Sequence, residues 1–73
     1  MEENKKYRVV VFANGFKYVR YSDDKDELVK YSDNIISICR CFHLSFASRL
    51  YAWDAELGYY IFLYSREECF RNP

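Results

Sequence analysis

Apolar side chains crowd two short runs near the start of the chain, "YRVVVFA" and "FKYVRYS", and the only residues between them are Asn14-Gly15. Asn-Gly is the dipeptide that best accepts the two positive φ angles of a type I′ turn, so the pattern predicts a tight β-hairpin. Such a loop dictates the register. Phe12 opposes Lys17, Val10 opposes Val19 and Arg8 opposes Tyr21 on one side, while Val11 opposes Tyr18, Val9 opposes Arg20 and Tyr7 opposes Ser22 on the other.

After Tyr21 the period changes. Leu28, Tyr31, Ile35, Ile38 or Cys39, and Phe42 recur at helical spacing, with Val29 and Ile36 widening the stripe, which predicts an amphipathic helix. Asp24 is placed to cap it and Glu27 to complete a capping box, and the acidic cluster Asp23, Asp24, Asp26, Glu27 suits the positive end of the helix dipole. Ser32-Asp33-Asn34 are poor helix formers, so the pattern allows either one helix or two shorter ones broken near Ser32.

Residues 49–65, "RLYAWDAELGYYIFLYS", read as a second hairpin, with Arg49 to Asp54 and Tyr59 to Ser65 as strands and Ala55 to Gly58 as the loop, closed by a glycine able to take positive φ. In that register Trp53 opposes Tyr60, Tyr51 opposes Phe62 and Arg49 opposes Tyr64 on one face, whereas Ala52 opposes Ile61 and Leu50 opposes Leu63 on the other. The second face is aliphatic and suits packing on a helix. Ser65 and Glu68 stand at capping-box spacing, which predicts a short helical turn carrying Cys69 and Phe70 against one sheet edge.

Hairpin, helix, hairpin predicts an α+β fold: a two-layer ββαββ domain with a four-stranded, mainly antiparallel sheet and one amphipathic helix on one face. All 73 residues form a single domain in this reading, with residues 1–4 and 72–73 flexible. A helix about 10 to 12 Å across covers one face of a sheet roughly 19 Å wide at about 4.8 Å per strand. The other face, carrying Tyr51, Trp53, Tyr60, Phe62 and Tyr64 with Arg49 at its margin, is left to solvent or a partner. Half-exposed, those rings make an apolar patch on the order of 400 to 500 Å², more than soluble monomers usually leave uncovered. Burying it is worth roughly 10 kcal/mol gross. Cross-strand pairing of the same rings, hydroxyls outward, is the structural alternative.

Composition narrows the classes. Eleven basic and eleven acidic side chains cancel, so no global field draws nucleic acid or an anionic membrane. Three cysteines behind a polar "MEENKK" start, with no export pattern and no apolar run near the roughly 18 residues of a membrane span, predict reduced thiols and a cytoplasmic setting. Cys39, Cys41 and His43, with Cys69 distant in sequence, are the residues a tetrahedral zinc site would use. Their spacing opposes it, because on a helix Cys39 and His43 share a face and Cys41 does not. His43 is the single histidine and its helical neighbour Cys39 faces the predicted core, so a Cys-His catalytic pair is not expected; no phosphate loop or HExxH pattern is present.

These readings converge on a small non-catalytic, cofactor-free protein-binding module. Arg49, Tyr51, Trp53, Tyr60, Phe62 and Tyr64 are its expected partner-binding residues, and the partner is another protein or a second copy. Inhibitors and adaptors of larger complexes, including those phages and mobile elements encode, have this form. The competing reading is a single-strand nucleic-acid binder that stacks bases on the aromatics, with Lys17, Arg20 and Arg49 along the border for phosphates.

Overall fold

The computed structural model describes residues 5–70. Asn14 and Gly15 take φ of 50° and 81°, the left-handed pair a type I′ turn requires. They join β1 (Tyr7–Ala13) to β2 (Phe16–Ser22) in the register the loop dictates, from Tyr7 opposite Ser22 to Ala13 opposite Phe16. A single helix, α1 (Lys25–Cys41), follows, then β3 (Phe46–Asp54) and β4 (Tyr59–Glu68). The four strands form one sheet in the order β2-β1-β3-β4 with every neighbouring pair antiparallel, which is the expected α+β ββαββ domain. The expected flexibility of residues 1–4 and 72–73 lies outside the described residues.

α1 runs unbroken through Ser32-Asp33-Asn34. Tertiary contacts override the weak local propensity: the Ser32 hydroxyl donates to the Val29 carbonyl at 3.0 Å and accepts from Arg66 Nη2 at 2.8 Å, and Asp33 pairs with Arg66 Nη1 at 2.7 Å. Asp24 caps the helix, accepting from the Asp26 N–H at 3.0 Å. Glu27 does not reach back to the cap directly; it accepts from the Ser22 hydroxyl, which in turn accepts from the Asp24 N–H, each at 3.0 Å. The last residue of β2 thereby closes the capping box. At the other end the Leu44 N–H donates to the Cys39 carbonyl at 2.7 Å and the His43 N–H to the Arg40 carbonyl at 3.4 Å, a Schellman ending with His43 in the left-handed region at φ 56°.

The core lies between α1 and one face of β1 and β3. Val9, Val11, Leu28 and Leu50 form one buried cluster, Ala13, Ile36, Cys39 and Phe46 a second, and Ile35 packs against both. The buried helix stripe is thus Leu28, Ser32, Ile36 and Cys39; Phe42, expected on it, is 68% exposed beyond the point where the chain turns away, and Ile38 faces outward.

The second hairpin keeps its loop and, as far as Tyr51, its register. Trp53 opposes Tyr60 and Tyr51 opposes Phe62 as expected, but an irregularity between Leu50 and Tyr51 then sets Leu50 opposite Tyr64 and Arg49 opposite Ser65. Leu63 is the extra residue of a β-bulge, and everything after it changes face relative to a regular ladder. β3 also begins at Phe46 instead of Arg49, and β4 continues to Glu68, so no helical turn forms at Ser65. The reason is on the helix: beyond the bulge Arg66 reaches Ser32 and Asp33, and Glu68 accepts from Arg40 Nε at 3.0 Å, contacts a coiled-up segment would forgo.

Candidate functional site: an aromatic sheet face

Strand alternation sends Tyr7, Val9, Val11 and Ala13 of β1 into the core and leaves Arg8, Val10 and Phe12 on the face that α1 does not cover. β2 adds Lys17, Val19 and Tyr21 beside them, and β3 adds Ala47, Arg49, Tyr51 and Trp53 on the other side. Tyr60 and Phe62 of β4 complete the face through their pairing with Trp53 and Tyr51. Five of the six expected partner-binding residues, Arg49, Tyr51, Trp53, Tyr60 and Phe62, therefore share one surface. Tyr64 does not belong to it, because the bulge sets it opposite Leu50, whose side chain is in the core.

The rings are arranged edge-on. Tyr51 and Phe62 meet at 5.9 Å with planes at 66°, and Trp53 and Tyr60 at 5.1 Å and 67°. Tyr21 reaches from β2 to within 6.0 Å of Tyr60. Beneath that reach lies Arg8, its guanidinium carbon 4.3 Å from the Tyr51 ring centre and 4.7 Å from that of Tyr60, so the cation is held between two π faces. Arg8 Nε is buried and has no hydrogen-bond partner among the described residues. The Tyr60 hydroxyl donates to the Lys5 carbonyl at 2.8 Å, tying the chain ahead of β1 to the far edge strand. Burial pushes the Tyr60 phenol above its ordinary value, Tyr21 adds to the rise, Arg8 opposes it and Asp23 reinforces it. These contacts leave Tyr51, Trp53 and Tyr60 half-buried, whereas Phe62 is 55% exposed and Phe12, Val19 and Tyr21 also stand in solvent.

Sequence reasoning paired Arg8 with Tyr21 but missed its role, because Tyr51 and Tyr60 arrive only when β3 docks on β1. Arg20, expected on the aromatic border, lies on the helix side instead, 3.6 Å from Glu27 and over the Tyr31 ring. Lys17 and Arg49 do belong to the open face.

The thiols scatter. Cys39 is buried in the core, Cys41 is exposed on the helix, and Cys69 is exposed at the chain's end, where it accepts from the Ser45 hydroxyl at 3.9 Å. His43 meets Phe70 edge-on at 5.6 Å. Among the described residues no three His, Cys, Asp or Glu side chains gather as a metal site would require, and no helix is long and apolar enough to cross a membrane. An open apolar groove of about 360 Å³ runs between α1 and the start of β2, lined by Phe16, Tyr18, Ile35, Ile38 and Leu44, and is separate from the aromatic face. Comparison with protein families, curated proteins and solved structures returns no significant match.

Proposed function

We propose that the protein is a non-catalytic binding module that docks another protein on its open sheet face and so acts as an inhibitor or adaptor of a larger assembly. The supporting observation is one sheet face on which Phe12, Val19, Tyr21 and Phe62 are exposed and Tyr51 and Trp53 half-exposed, on a sheet whose other side is occupied by α1. Tyr and Trp are the side chains that most often carry interface energy, and here edge-on packing restrains them before any partner arrives, so little rotamer entropy remains to be lost. The same packing weighs against base stacking, since Arg8 already occupies faces of Tyr51 and Tyr60.

Phe62→Glu tests the reading, because Phe62 is exposed and its replacement leaves the core intact. Proteins retained by the immobilised native chain are compared with those retained by the variant, with thermal unfolding recorded for both. The reading expects a specific protein species held by the native chain and lost from an equally stable variant. Identical retention by both would sink it.

A further inference from the structure

The arginines divide by side of the sheet. Arg20, Arg40 and Arg66, all toward the helix, are each ion-paired, with Glu27 at 3.6 Å, Glu68 at 3.0 Å and Asp33 at 2.7 Å. Arg8 and Arg49, both on the open face, have no carboxylate partner among the described residues, and neither does Lys17 beside them. Among the described residues, carboxylates there are few. Glu67, opposite Ala47, lies diagonal to Arg49 without pairing with it, and Asp23 at the other end is already engaged by the Lys5 side chain and the Lys6 N–H. A chain with no net charge thus carries both of its described arginines that lack a carboxylate partner, with Lys17, on the face that also holds its aromatic patch.

Arg8 is the most enclosed of these cations. Two tyrosine faces hold its guanidinium, its Nε is buried without a hydrogen-bond partner, and its Nη groups make no hydrogen bond to another described residue. A planar fork held in this way, its terminal N–H groups unengaged among the described residues, suits an end-on carboxylate and loses little freedom on binding it. Arg49 lies diagonally across the β1–β3 pair, at a spacing of about 7–8 Å, close enough to add attraction without competing for the same oxygen pair.

We propose that Arg8, held between Tyr51 and Tyr60, is a carboxylate receptor, and that the protein docking on this face presents an Asp or Glu side chain to it from an acidic surface. This rests on the protein-binding reading above and adds the partner's chemistry. Single-stranded nucleic acid would meet the same cations through phosphate. It is disfavoured because the guanidinium covers the Tyr51 and Tyr60 faces on which bases would stack.

The test follows the arginine Nε–Hε signals of the full chain by NMR during titration with an acetylated tetraglutamate peptide. A tetraglutamine peptide, a hexathymidine strand and inorganic phosphate serve as separate arms. The proposal expects saturable movement of the Arg8 signal with tetraglutamate, none with tetraglutamine, and weaker effects of phosphate and hexathymidine at equal charge. Arg8→Met should weaken the tetraglutamate response at least about tenfold, the scale of a lost charge-assisted contact. Arg8→Lys, which keeps the charge and loses the fork, should retain part of it and serves if Arg8→Met fails to fold. A stationary Arg8 signal, an undiminished response in the variants, or tighter binding of hexathymidine or phosphate overturns the proposal. If protein retention is lost with Phe62→Glu yet unchanged with Arg8→Met, the docking face stands and the carboxylate receptor falls.

Discussion

His43 holds φ at 56° to end α1, a conformation that costs a side-chain-bearing residue about 1–2 kcal/mol. Glycine would adopt it without that penalty but loses more chain entropy on folding and forfeits the edge contact with Phe70. His43→Gly is therefore expected to stabilise the domain by about 0.5 kcal/mol, raising Tm by roughly 2–4 °C. Gly58 presents the opposite case. At φ 76° it closes the loop in which Asp54 Oδ1 accepts from the Glu56 and Leu57 N–H groups, and a Cβ there would meet nothing within 4 Å, so the cost of Gly58→Ala is purely conformational, about 1 kcal/mol. Calorimetry on the two variants checks both signs. Tyr60 makes stability depend on alkaline pH. Its folded pKa lies above the unfolded value of 10.0, so its contribution is complete below that pH and is lost as pH rises through the folded value. Urea unfolding between about pH 9 and 12 should show this decline, with a shallower slope for Tyr60→Phe; equal slopes would remove Tyr60 as the cause.

At the scale of elements, the bulge at Leu63 decides which side of the sheet β4 serves. Ahead of it, Tyr60 and Phe62 join the open face; beyond it, Arg66 and Glu68 clamp the helix. Deleting Leu63 would join Phe62 directly to Tyr64 and turn the bulge into a regular ladder with the flanking pairs kept, Tyr51 with Phe62 and Leu50 with Tyr64. Deleting Ser65 instead would swing Arg66 and Glu68 to the open face and leave the buried Ser32 hydroxyl without its donor. The Ser65 deletion is expected to cost about 2 kcal/mol more than the Leu63 deletion, allowing for the partial exposure of the Arg66–Asp33 and Arg40–Glu68 pairs. Denaturant midpoints of the two deletions, compared at equal m, decide it. The same clamp explains why α1 stays whole: Ser32 and Asp33, poor helix formers by themselves, are the residues Arg66 holds.

At the scale of the molecule, one sheet and one helix span 19 Å in the two shorter directions, so among the described residues the face opposite α1 has no second layer. Two copies meeting through that face would bring two sets of Arg8, Arg49 and Lys17 into one interface, an excess of like charge that added salt would screen. Light scattering at low ionic strength is accordingly expected to give the monomer mass of 8.9 kDa across micromolar concentrations; a dimer under those conditions would point to a self-pairing surface instead. What the sequence determined by itself was local: the first hairpin and its register from Asn14-Gly15, the helix start at Asp24, the loop from Asp54 to Gly58, and the alternation that groups Tyr51, Trp53, Tyr60 and Phe62. Each of these is decided by φ preference, capping or pleat over a few residues. The tertiary structure alone decided the continuity of α1, the departure of Tyr64 from the aromatic face, which side of the first hairpin, and Arg20 with it, the helix covers, and the holding of Arg8 between Tyr51 and Tyr60. All four depend on which residues, far apart in the chain, are brought together when β3 docks on β1 and the helix lies across them, and no local preference encodes that meeting.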